Sequence, residues 1–199
     1  MRPYRSVYDA QEPILEAIHT LHVPVFECDA TFGNGAFWKS FPRPKHCFDL
    51  QPLFPFVRKA DACKLPLKDS SIASLMLDPP FLTYVRNGRE GNGKMVMSRR
   101  FAGYWTYGEL EQSYKGMLTE ASRVLAKKGK LVFKCQDIIH NHRMHCTHAR
   151  TIAMAESLSF RLRDLFVLEA KHRLPAPNRR GSQKHARIFH SYFLVFEKR

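Results

Sequence analysis

The run IASLML at Ile72–Leu77 carries no charge, and it restricts the fold more than any other stretch of the chain. A strand with one wet face alternates apolar and polar residues. One without charge is covered on both faces, as in parallel sheets flanked by helices. Other strand-like runs fall at 23–28, 46–49, 59–63, 130–135, 162–170 and 189–197. Helical periodicity separates several of them. Residues 9–21 place Ile14, Leu15 and Ile18 on one face, and residues 107–128 repeat Leu110, Tyr114, Met117, Leu118, Ala121 and Leu125 with helical spacing. The second pattern ends in Lys127, Lys128 and Gly129, which reads as a basic last turn and a capping glycine. A third helix is expected over 147–158. This alternation predicts an α/β chain built on a largely parallel sheet, with the 189–197 strand at or near its end. Without repeats or a low-complexity linker, residues 1–199 read as a single domain with a long loop at about 82–106. Loops of that length in compact domains are usually functional.

The first strand runs directly into Asp29-Ala-Thr31-Phe32-Gly33-Asn-Gly35. A glycine turn after a strand brings backbone N–H groups close to a ligand, because no Cβ blocks the approach. Asp49 follows about 20 positions after the first residues of the turn, a spacing suited to a carboxylate that accepts both hydroxyls of a ribose. A dinucleotide-binding turn would have a third glycine where this chain has Trp38. Downstream of the uncharged strand stands Asp78-Pro79-Pro80-Phe81. The prolines fix φ and lack N–H donors, so neighbouring carbonyls can point at a ligand. Asp78 can accept a hydrogen bond, and the Phe81 ring offers a flat stacking face. Together the four suit a planar ring bearing an amino group.

These motifs resemble those of class I S-adenosylmethionine (SAM) methyltransferases, in particular the DNA adenine-N6 and cytosine-N4 amino-methyltransferases with their DPPY/DPPF tetrad. DATFGNG is similar to the family's D-x-[TF]-x-G-x-G turn, and HARIFHSYFLVFEKR to its closing segment. The resemblance covers most of the chain. It implies a Rossmann-like class I methyltransferase fold: a central, mostly parallel seven-stranded sheet, helices on both faces and an antiparallel C-terminal strand. It implies SAM as cofactor, held by Asp29, Thr31, Phe32, Gly33, Gly35, Asp49, Asp61 and Ala62, with Asp61 and Ala62 at the adenine. It implies Asp78, Pro79, Pro80 and Phe81 as the catalytic tetrad. The amine lone pair of a nucleobase is delocalised into its ring. Asp78 and the Pro79 carbonyl would each accept an amine hydrogen and push the nitrogen toward tetrahedral geometry.

The formal net charge of +14, from 32 Lys and Arg against 18 Asp and Glu, favours a polyanionic partner. Basic residues interleave with aromatics at Arg99, Arg100, Tyr104 and Trp105, and a second basic stretch holds Arg179, Arg180, Lys184 and Arg187. Both are candidate substrate contacts, through phosphates and stacking. DNA stands ahead of RNA as the expected substrate. RNA base methylation, a catalytically silent nucleic-acid-binding module and methylation of a protein glutamine remain open alternatives. So little chain is available for target recognition that a partner protein could supply it.

Five scattered cysteines without a CxxC pair read as reduced thiols. No apolar run reaches the roughly 18 residues of a membrane helix, and no apolar block follows the arginines at the N-terminus. A cytoplasmic protein with no membrane partner is expected, nucleoid-associated in a bacterium or phage. His140, His142, His145, Cys146 and His148 crowd nine residues but lack paired metal-ligand spacing, so they read as a polar loop and helix start with no metal.

Overall fold

The computed structural model describes residues 3–83, 103–170 and 184–199. Arg99, Arg100, Arg179 and Arg180 lie outside these described residues. In chain order the elements are β1 (Val7–Tyr8), α1 (Gln11–Leu21), β2 (Cys28–Asp29), a short 3-10 turn (Ala36–Trp38), β3 (His46–Asp49), β4 (Arg58–Lys59), β5 (Ile72–Leu77), α2 (Tyr107–Val124), β6 (Leu125–Cys135), β7 (Ile138–His140), β8 (Arg143–His145), α3 (Thr147–Ser157), β9 (Phe160–Glu169) and β10 (His190–Lys198).

One sheet runs in the order β1-β9-β10-β6-β5-β2-β3-β4. From β6 to β4 all neighbours are parallel, and β10 is antiparallel to both β6 and β9. The predicted α/β, mostly parallel architecture is present, with eight strands in this sheet among the described residues where seven were expected. The additional strand is β1, which pairs in parallel with Val167 and Leu168 at the outer edge of β9. The last strand is also not terminal in the sheet. It sits between β9 and β6, and Phe193, Leu194, Val195 and Phe196 are all fully buried, as a run covered on both faces should be.

Two apolar cores lie on the two faces. Leu75, Leu77, Leu131, Phe133, Leu194 and Phe196 pack with Leu110, Tyr114, Leu118 and Ala121 of α2. The alternate residues Met76, Val132, Phe193 and Val195 pack with Ile14, Leu15 and Ile18 of α1. Successive strand residues point to opposite faces, so the same strands feed both cores.

Local chemistry resets several element boundaries. Residues 23–27 run beside β5 without a ladder, because the Ser74 hydroxyl accepts from the Glu27 amide (2.8 Å) and donates to the Val25 carbonyl (2.8 Å). Residues 61–63 leave the strand, because the Asp61 carboxylate takes the Cys63 amide at 2.8 Å and turns the chain. Helix α2 begins at a capping box: Thr106 Oγ1 accepts the Glu109 amide at 3.2 Å, while the Glu109 carboxylate accepts the Thr106 amide at 3.4 Å. It stops at Val124, four residues before its periodicity does, because Leu125 pairs with Ile72 of β5. Gly129 therefore caps no helix. A Cβ there would stand 2.8 Å from the Ala126 carbonyl and 3.2 Å from that of Ala73, so glycine permits a close backbone crossing. Residues 138–145 form a hairpin turned by Asn141 and His142, both at positive φ, where a polar loop was expected. Among the described residues, no helix is long and apolar enough to cross a membrane.

Candidate active site

The carboxyl ends of β2, β3, β5 and β6 lie side by side, the place where open α/β sheets carry their ligands. Asp29, the last residue of β2, is completely buried. Its Oδ1 accepts the Thr31 amide at 2.9 Å and its Oδ2 accepts the Trp38 indole N–H at 2.7 Å. Burial, helped by the nearby Asp78 and Asp49, pushes its carboxyl up to about 7 against the pull of those two hydrogen bonds. Asp29 thus braces the turn from beneath. Trp38, which stands where a dinucleotide turn would have glycine, supplies one of the two donors.

Gly33 and Gly35 both adopt left-handed backbone, at φ +53° and +70°. A Cβ on Gly35 would come within 3.0 Å of the Phe32 ring, which itself packs edge-on against Phe54 and Phe56. The Gly33 amide donates to Asp49 Oδ2 at 2.8 Å, and Asp49 Oδ1 accepts the Gln51 amide at 2.8 Å. Each carboxylate oxygen retains acceptor capacity. Asp61 is exposed just past β4, and the adjacent Ala62 is buried.

At the end of β5 the Asp78 amide donates to Thr31 Oγ1 at 2.6 Å. One threonine hydroxyl therefore joins the glycine turn to the tetrad. Asp78 Oδ2 lies 3.3 Å from Lys134 Nζ, and Lys134 also donates to Gln11 Oε1 at 3.2 Å. The two side chains are 26% and 12% exposed. The Lys134 ammonium stands 5.1 and 5.3 Å from the centres of the Phe37 and Phe193 rings. The Pro80 carbonyl accepts the buried Tyr114 hydroxyl at 3.1 Å, Pro79 is buried, and Phe81 is half-buried.

The substrate candidates divide. Tyr104 packs against the α2-side core and donates its hydroxyl to Ser113 at 2.9 Å. Trp105 beside it is 44% exposed, and Lys184 and Arg187 are exposed. Beyond β6, the buried Asp137 takes the His148 amide (3.2 Å), His148 Nδ1 (2.7 Å) and the Tyr192 hydroxyl (3.1 Å), so it anchors the first turn of α3. Among the described residues no three His, Cys, Asp or Glu side chains converge as metal ligands would.

Sequence reasoning did not single out Lys134 or Gln11, and it placed Tyr114 only on the apolar face of a helix. The one available signal was a lysine inside the otherwise apolar LVFKC run, on the same strand face as Val132.

No family model matches the chain, and no curated protein matches it in sequence. Solved structures do. The [4+2]-cyclase SpnF is 12% identical, with a TM-score of 0.54 over 94% of this chain and 81% of its own. TrmN from Thermus thermophilus is 14% identical, with a TM-score of 0.51 over 96% of this chain and 50% of its own. The cytosine-N4-specific PvuII DNA methyltransferase is 18% identical, with a TM-score of 0.50 over 71% of this chain and 48% of its own. The chain thus spans about half the length of the last two, and likewise 53% of the Thermus thermophilus protein TTHA0409. The fold is the Rossmann-like fold of methyltransferases.

Proposed function

We propose that this chain transfers a methyl group from SAM to the exocyclic amine of a nucleobase, adenine N6 or cytosine N4 in DNA. The observation that carries this reading is the Thr31 hydroxyl, which accepts from the amide of Asp78 in the tetrad and stands in the turn that Asp29 braces. A donor site and an acceptor site are thereby held in one piece at adjacent strand ends. Fold alone would not suffice, since a [4+2]-cyclase shares it.

The residues present fit SAM. The left-handed glycine turn allows a ligand close to the backbone, and Asp49 and Asp61 supply acceptors for ribose and adenine. When bound, SAM supplies a methyl group whose departure returns an electron pair to sulfur. The chain's own residues do the positioning. The Pro80 carbonyl already accepts the Tyr114 hydroxyl, and the acceptor roles toward the amine are assigned to Asp78 Oδ1 and the Pro79 carbonyl. Phe81 stacks on the base, which has left its helix or was single-stranded already. The catalysis is orientation and electrostatics, not a covalent intermediate. The net charge of +14 supports a nucleic-acid substrate over a protein amide.

The test is transfer of labelled methyl from SAM to duplex DNA, single-stranded DNA and total RNA in parallel, with nucleosides identified by mass spectrometry. Label is expected in N6-methyladenine or N4-methylcytosine from DNA, and Asp78→Ala should reduce it at least about 100-fold while SAM binding remains measurable. Label in RNA alone would move the assignment to an RNA base. Label in none of the three would overturn the proposal.

A further inference from the structure

Lys134 is the feature of the site that the proposed reaction does not use. Its side chain is largely buried, its ammonium lies over the Phe37 and Phe193 rings, it is tied to α1 through Gln11, and it is aimed at the one carboxylate the reaction needs. A buried cation is costly unless it is paired, and Asp78 is its ionic partner. A methyl group delivered to an amine held by Asp78 must start within about 3–3.5 Å of that amine. The sulfonium that carries the methyl therefore comes close to the same ion pair.

We propose that Lys134 is a resident counter-charge for Asp78, and that this single pair sets the site's preference between the cationic donor SAM and its neutral thioether product, S-adenosylhomocysteine (SAH). The inference rests on the SAM-dependent reading above. With both partners present the sulfonium meets a nearly neutral pair. Without Lys134 it meets an unopposed carboxylate, and the donor gains over the product. With Asp78 neutralised it meets an unopposed ammonium, and the product gains over the donor. SAH carries no sulfonium charge, so it reports everything else about the pocket and cancels it from the ratio. Lys134 is a positioning residue in this scheme, acting through Asp78 and through its field.

The experiment is calorimetric titration of SAM and SAH against the wild type, Lys134→Met, Asp78→Asn and the double variant. Methionine keeps most of the length of the lysine stem and removes the charge. Relative to wild type, the ratio Kd(SAM)/Kd(SAH) should fall roughly tenfold in Lys134→Met and rise roughly tenfold in Asp78→Asn. In the double variant it should return to within about twofold of wild type. A purely structural lysine would change both affinities alike and leave the ratio still. Should Lys134→Met not fold, Asp78→Asn alone carries a signed prediction, and an unmoved or lowered ratio there overturns the proposal. Shifts of the same sign in both single variants also overturn it. If the wild type binds both ligands and no ratio moves, this inference falls and the proposed function stands. If the wild type binds neither, the SAM-dependent reading falls and takes the inference with it.

Discussion

Asp29 shows what a single residue does in this site. The sequence placed it at the start of the glycine turn as a ligand contact, and the structure shows it wholly buried, with both oxygens engaged from below. Motif position is written locally, whereas burial depends on Trp38 folding back across the turn. Gly33, Gly35, Asp49 and Asp78 were legible for the same local reason. Lys134 was not, because its partner Asp78 lies 56 residues away in the chain. Asp29 also makes a pH prediction. Its folded pKa, about 7, lies above its ordinary value of 3.8, so the folded state holds the proton more tightly than the unfolded state. The stability this contributes is complete below about pH 4 and is lost as the pH rises through 7. In urea denaturation the wild type should therefore lose stability relative to Asp29→Asn between pH 4 and 8. A difference that stays constant with pH would refute the shift.

Strand β5 was legible to the residue, as were the end of α1 and the start of α2. The discrepancies arise where a tertiary bond outcompetes a local pattern. Helix α2 could continue to Lys128 by its own periodicity, but the pairing of Leu125 with Ile72 draws the chain into β6 first. The 23–27 run looks like a strand, and the Ser74 hydroxyl takes the place of the ladder. No pattern within either segment announces such a competitor. The crossing that follows α2 has its own requirement at Gly129. A methyl group there meets two carbonyl oxygens that belong to backbone, so relief requires moving a strand. Gly129→Ala should destabilise the protein by about 1–3 kcal/mol, read as a lower urea midpoint with the slope unchanged. The equally close Gly116 faces only the Cys63 side chain, which can rotate, so glycine there is the more dispensable of the two.

At the scale of the whole molecule, the architecture was readable from the uncharged β5 run and from the apolar stretches that alternate with helical patterns around it. Strand order is harder to read, since β10 looks the same in sequence whether it ends the sheet or divides it. The charge of +14 belongs to the molecule as a whole, and Lys184 and Arg187 are exposed where they can contribute. Binding of a single-stranded oligonucleotide should weaken steeply with salt. Replacing Lys184 and Arg187 together by alanine should flatten the log–log slope by roughly 1.4 if each neutralises one phosphate. Fluorescence anisotropy from 50 to 300 mM salt measures it, and an unchanged slope would remove both residues from the contact surface. The central place of β10 also has a consequence for how the protein is made. Strand β6 leaves the ribosome with one edge bare, and β9, which has only the two-residue β1 on its other side, is not joined to the rest of the sheet until β10 arrives between them. Bare apolar edges are templates for aggregation. Nascent chains halted between residues 135 and 190 are therefore the species for which a chaperone matters most, and β10 is the keystone that joins the two parts of the sheet.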